Sequence, residues 1–284
     1  MKVYISVDME GLAGISGFSQ ETNDRERFRQ VMNENVQWVI EGIQQSQRNQ
    51  AITEITISDS HSVGRHLDYN LTELDDRVSL ISGAPRPGYM MAGLDETYDV
   101  VFYIGYHSGF GTYKGQMEHA YGGRSFHNIW MNGQYMNEST INSAYAASLG
   151  VPTGLIIGDS SLKAQLAQAE MMPWVEFVET KEALAFSAAR YYPKSVVRDE
   201  IRAKTAKVLN QDLSALPLYE LKAPYTLRVE YNFGSGADYA CLIPGVKLVE
   251  PRTVELTLSD FREMLDAIVA LSYVSANAFP FENR

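Results

Sequence analysis

Short apolar runs that stop at Gly, Ser or Asp alternate along this chain with longer stretches whose apolar residues recur at helical spacing. The run Val3 to Val7 predicts a first strand, and further strands follow over 53–59, 99–106 and 152–158. Near-continuous apolar runs of this kind suit strands covered on both faces. Between the first two, Val31, Val36, Val39, Ile40 and Ile43 place one apolar stripe on a long helix from Asp24 to Gln47. A short strand near 79–82 leads into GAPRPG, whose two prolines enforce an irregular connection. Phe126 to Trp130 and Gln134 to Met136 predict a hairpin about Asn132-Gly133, because Asn-Gly supplies the positive φ angles of a two-residue turn. Helices are expected from Glu138 to Ala147 and from Ser160 to Met171. Beyond residue 190 the pattern changes to a helix over 193–209, strands over 226–231 and 253–257, and a last helix from Ser259 to Ala276. The expected fold is α/β: an open mixed, mostly parallel sheet flanked by helices (1–190), with a smaller C-terminal α+β lobe (191–284) packed on it.

Composition narrows the function classes. A chain of 284 residues at 45% hydrophobic content can bury a large core as one domain or two. Its formal net charge of -11 disfavours nucleic acid and anionic membranes, which attract basic surfaces, and is easier to reconcile with a cationic or zwitterionic substrate. Cys241 is the sole cysteine, so no intrachain disulfide or thiolate-rich zinc site can form. It sits in ADYACLIPG among apolar residues, a poor setting for a nucleophile. The chain enters its first strand at Met1-Lys2 with no apolar leader, and no run reaches the length of a membrane span; a cytoplasmic protein is expected.

The chemistry gathers at strand ends. Asp8 and Glu10 lie in SVDMEG after the first strand, His61 in SDSHS after the second, and His107 in IGYHSG after the central one; Glu138 follows the hairpin in MNEST. In open α/β sheets ligands collect at such ends. Carboxylates delivered there need a partner or a metal. Oxygen and nitrogen donors without thiolate fit zinc, manganese or another borderline divalent ion, and more than four donors suggest two ions sharing a carboxylate. Each imidazole taken singly could equally be a strand-end residue satisfied by backbone, and Glu138 a first-turn glutamate complementing a helix dipole. No HExxH is present. The Gly-rich stretch from His107 to Arg124 reads as an active-site loop. His66 and His127 are read as structural or surface residues. Asp59 could orient His61 or cap its turn, and Asn142 and Asp159 could face substrate or serve as a helix-face amide and an N-cap.

VYISVDMEGLAGIS, SDSHS, DVVFYIGYHSG, GQMEHAY, the hairpin with Glu138 and Asn142, and VPTGLIIGD together resemble the D-aminopeptidase family of dizinc metallopeptidases associated with bacterial dipeptide-transport operons. The likeness runs through most of the chain in order. It implies Asp8 as bridging ligand, Glu10, His61, His107 and Glu138 as the other metal ligands, and His119 in GQMEHAY as the catalytic histidine. The implied activity is a zinc-dependent aminopeptidase that cleaves the N-terminal peptide bond of short peptides with D-Ala-type first residues by a metal-bound hydroxide. Two Zn²⁺ per chain are expected, with Mn²⁺ or Co²⁺ as substitutes. A ring-stacked homodecamer with active sites facing an inner channel is also implied. The interval from His119 to Glu138 is one residue longer than the family pattern, which the hairpin can absorb. Two rivals remain: a Mg²⁺-dependent haloacid-dehalogenase-like phosphatase with Asp8 as nucleophile, and a catalytically inactive amino-acid or peptide-binding module.

Overall fold

The computed structural model describes residues 1–276. In chain order the elements begin with β1 (Lys2–Val7), α1 (Ser19–Asn23), α2 (Arg25–Gln45), β2 (Glu54–Asp59), β3 (Val78–Ile81) and β4 (Val100–Tyr106). The hairpin β5 (Phe126–Met131) and β6 (Gln134–Tyr135) leads into α3 (Glu138–Ser148), followed by β7 (Thr153–Gly158) and α4 (Ser160–Leu166). Then come β8 (Glu176–Glu179), β9 (Lys181–Ala185), β10 (Ala188–Tyr191) and α5 (Lys194–Leu209). The last elements are β11 (Tyr225–Tyr231), α6 (Gly234–Ala240), β12 (Lys247–Glu250), β13 (Thr253–Leu258) and α7 (Phe261–Ala276).

Six of these strands form one wholly parallel sheet in the order β3-β2-β1-β4-β7-β8. The chain winds outward from β1 in one direction, returns, and winds outward from β4 in the other. The strand order therefore reverses between β1 and β4, and a doubly wound sheet opens a crevice at the carboxyl ends of the strands on either side of such a reversal. Strand alternation sorts the side chains. Val3, Ile5, Val7, Val100, Phe102 and Ile104 join the core beneath α2 and α5. Tyr4, Val101, Tyr103 and Tyr106 join the opposite core, built with α3, α7 and a second sheet.

That second sheet is antiparallel, ordered β12-β13-β11-β5-β6. Its strands come from both sides of residue 190, while α5 lies on α2 and beside β7 and β8. The predicted hairpin turn is present, with φ of 51° at Asn132 and 80° at Gly133. Helix α4 stops at Leu166, short of the expected Met171. There the chain reverses, the Met172 amide donating to the Leu166 carbonyl at 3.1 Å, and both Met171 and Met172 turn into the core. Several elements carry no periodic signal. β9 and β10 are Ala-rich, β12 is exposed throughout, and α6 contains two glycines and is held by packing on α7.

Candidate metal centre

The switch point brings the predicted donors together. Asp8 and Glu10 leave β1, where the Asp8 amide donates to the Ile104 carbonyl at 2.8 Å and the Gly11 amide to the Gly105 carbonyl at 2.7 Å. Gly11 is required for this approach, since a Cβ there would lie 1.9 Å from the Tyr106 carbonyl oxygen. His61 follows β2 and His107 follows β4. The β5–β6 hairpin delivers Glu138 to the first turn of α3, whose N-cap is Asn137 in a reciprocal capping box with Thr140. Asp8, Glu10, His61, His107 and Glu138 are all buried.

The two oxygens of Asp8 face different imidazoles. Oδ1 lies 2.9 Å from His61 Nδ1, and Oδ2 lies 3.5 Å from His107 Nε2. Glu10 Oε2 stands 3.6 Å from His61 Nδ1, and Glu138 Oε2 stands 3.4 Å from His107 Nε2. Two donor groups result, Asp8 with Glu10 and His61, and Asp8 with His107 and Glu138, each with its ligand atoms within 4.8 Å of one another. Asp8 belongs to both. His107 Nδ1 donates to the Ser108 carbonyl at 2.9 Å, which fixes the tautomer and leaves Nε2 free to ligate.

The electrostatics call for cations at this point. Burial and the charge of Asp8 push the Glu10 carboxyl up to about 8. Burial works against charge on His107, yet Glu138, Glu10 and Asp8 raise it to about 10. His61 is also buried, and Glu10, Asp8 and Glu21 carry it well above its ordinary value. Burial would raise Asp8 too, but the His61 hydrogen bond and the charges of His61 and His107 hold it well below the usual carboxylate range. Protons on these imidazoles stand in for positive charge that metal ions would supply. Glu10 Oε1 and His107 Nε2 are buried without a hydrogen-bond partner, an arrangement that costs about 1–3 kcal/mol per group unless something else binds there. The donor set therefore fits borderline divalent ions held by oxygen and nitrogen.

His119 stands beside this set. Its ring stacks on His107 with centroids 4.4 Å apart, and its Nε2 lies 3.8 Å from Glu10 Oε1. A third donor group, Glu10 with His107 and His119, is thus geometrically available. Nδ1 donates to the Met117 carbonyl at 2.7 Å, so Nε2 presents its lone pair to the site. Burial and the neighbouring His107 lower its pKa, favouring the neutral ring.

The other polar residues divide clearly. Asp59 accepts from the amides of His66 and Leu67 at 2.6 and 2.8 Å and faces His66 Nδ1, so it caps the turn and does not orient His61. His66 is buried against Asp59 and Glu21. His127 is exposed on β5. Asn142 is occupied by the hydroxyls of Tyr121 and Tyr106, and Asp159 caps α4 through the amides of Ser161 and Leu162. The thiol of Cys241 is exposed and lines neither cavity at the site.

Two contacts at the site had no sequence signal. Glu21, on the five-residue helix α1, stands 3.5 Å from His61 Nε2, on the ring edge opposite Asp8. A carboxylate there orients a metal-ligating imidazole. Lys181, at the start of β9, is fully buried with its ammonium on the carbonyls of Glu10, Leu12 and Ile15. A cavity of about 440 Å³ opens onto Asp8, His61, His119 and Glu138, and a second of about 760 Å³ lies against His119 and Glu21.

A doubly wound α/β fold with carboxylates and imidazoles converging on its switch point defines a metal-dependent hydrolase. Residues 1–270 match the family described as D-aminopeptidase, and the chain belongs to that family. It is 29% identical over 279 residues to a D-aminopeptidase of Bacillus subtilis (strain 168), spanning 96% of this chain and 97% of the relative. It also shares the fold of the Zn-dependent D-aminopeptidase DppA from Bacillus subtilis, a self-compartmentalizing protease, with a TM-score of 0.89 at 26% identity over 99% of this chain and 100% of that one. The family likeness read from the strand-end motifs is borne out. The phosphatase reading left the histidines idle and finds no support, nor does the inactive module.

Proposed function

We propose that this protein is a zinc-dependent aminopeptidase that hydrolyses the N-terminal peptide bond of short peptides with D-Ala-type first residues. The observation that carries the reading is the division of Asp8, whose two oxygens face two separate donor groups. Asp8, Glu10 and His61 would hold one ion, and Asp8, His107 and Glu138 the other. Ions bound there lower the pKa of water and polarise a carbonyl. His119 supplies the proton chemistry. Its lone pair at Nε2 takes the proton of the attacking water and returns it to the leaving amine, while the Met117 carbonyl holds the ring by Nδ1. Assembly as a homodecamer with enclosed active sites is part of the same proposal, supported by family membership and by the self-compartmentalizing relative.

The test is elemental analysis of the purified protein together with amine release from matched D-Ala and L-Ala dipeptides, before and after chelation. About two zinc ions per chain and chelator-sensitive cleavage favouring the D-Ala peptide are expected. No retained metal and no cleavage after zinc or manganese is restored would overturn the reading. Sedimentation of the native protein tests the decamer.

A further inference from the structure

Among the described residues, Arg124 is the one arginine or lysine that lines either cavity at the site, and it lines both. Its side chain is exposed, and its guanidinium enters no hydrogen bond or ion pair within the described residues. In a chain of net charge -11 an unpaired arginine at the mouth of a carboxylate-rich site is unexpected on electrostatic grounds. The carboxylates that line the two cavities, Asp8, Glu21, Glu118 and Glu138, are engaged elsewhere, Asp8 with His61 Nδ1 at 2.9 Å. Glu21 faces His61 and His66, Glu118 accepts from the Gly111 amide at 2.8 Å, and Glu138 accepts from the Tyr121 amide at 2.6 Å.

The backbone fixes where Arg124 stands relative to the chemistry. A Cβ on the preceding Gly123 would lie 3.1 Å from His119 Cβ and 3.2 Å from its ring carbons, so the main chain at residue 123 packs directly on the imidazole. Arg124 is one residue farther, about 3.8 Å along the chain. The free carboxylate of a dipeptide is likewise one residue beyond the bond to be cut. Around this point the larger cavity offers Phe18, Phe110, Phe126 and Phe186 as apolar walls, a setting for the side chain of the residue that leaves.

We propose that Arg124 binds the free C-terminal carboxylate of the substrate and so selects free-acid peptides over C-terminally blocked ones. The inference rests on the aminopeptidase reading and extends it to the far end of the substrate. A guanidinium pairs with a carboxylate through two parallel hydrogen bonds, which a lysine cannot reproduce and a glutamine cannot charge-assist.

The experiment compares kcat and KM of the zinc-loaded protein on a D-Ala dipeptide and on its C-terminal amide, for the native chain, Arg124→Gln and Arg124→Lys. The native protein is expected to prefer the free acid. Arg124→Gln should raise KM for the acid about 10- to 100-fold with little change in kcat, bringing the acid-to-amide ratio of kcat/KM close to one. Arg124→Lys should recover part of that ratio. Equal cleavage of acid and amide by the native protein, or a native ratio in Arg124→Gln, would overturn the proposal while leaving the aminopeptidase reading intact. Cleavage of neither form by the native protein would overturn both.

Discussion

The ammonium of Lys181 donates to the main-chain carbonyl of Glu10 at 2.5 Å, although 171 positions separate the two residues. The same ammonium reaches the carbonyls of Leu12 at 3.0 Å and of Ile15, so one side chain from β9 ties down the turn that follows Asp8 and Glu10. Lys181→Met removes the ammonium from the carbonyls of Glu10, Leu12 and Ile15, of which Leu12 keeps only the Ile15 amide at 3.4 Å. Unfolding by denaturant should show a loss of about 3 kcal/mol or more, and zinc should bind more weakly. A variant with native stability and native zinc affinity would show that the turn holds its shape unaided.

Asp8 faces both donor groups, whereas His61 belongs to one and Glu138 to the other. Asp8→Asn should therefore retain close to no zinc, while His61→Ala and Glu138→Gln should each lose one ion and keep part of the other. Metal content by elemental analysis distinguishes the cases. Loss of a single ion from Asp8→Asn would remove the shared-carboxylate arrangement.

The elements that place this site were legible because their residues obey a period. Val3 to Val7 and Val100 to Ile104 carry the near-continuous apolar runs of strands buried on both faces, Ile55 and Ile57 mark the strand before His61, and the polar residues at these strand ends stand out. Asp8, Glu10, His61 and His107 could be picked out on that contrast. Glu21 and Lys181 could not. Glu21 lies on a one-turn helix among other polar residues, and Lys181 opens a short Ala-rich strand, so neither departs from its surroundings in sequence. Their roles come from tertiary placement, in one case beside His61 and in the other beneath Glu10. β11 and β13 are expected from the sequence and β12 is not, and the union of β11 with the β5–β6 hairpin is a long-range pairing that local pattern does not encode.

His119 could serve as proton carrier or as a third imidazole ligand, since Glu10, His107 and His119 also lie close enough to hold an ion. The hydrogen bond from Nδ1 to the Met117 carbonyl favours the first role, because it sets the lone pair at Nε2 without occupying it. His119→Ala should lower kcat/KM by about 100- to 10,000-fold with metal content unchanged. A His119→Ala protein that has lost an ion would reassign the residue to the metal.

Zinc uptake should be coupled to proton release, with a sign fixed by the groups at the site. Without metal, Glu10 is held up to about 8 by burial and Asp8, and His107 is raised to about 10 against burial by Glu138, Glu10 and Asp8. His61 is raised well above its ordinary value, while Asp8 is held low and has no proton to give. At neutral pH three donors are therefore protonated, and each must lose its proton to bind an ion. Apparent zinc affinity should rise steeply as pH increases toward about 8, then less steeply once Glu10 has ionised, and competition with a chromophoric chelator follows this directly. Folding stability of the chelated protein should move the opposite way. Groups whose folded-state pKa is raised stabilise below their unfolded values and lose that contribution as pH climbs through the folded ones, here from about 8 to about 10. Chelated protein should unfold more easily at pH 9 than at pH 7, and added zinc should reverse the difference. A zinc affinity that stays flat across this range would mean that Glu10, His61 and His107 are not the groups that hold the metal.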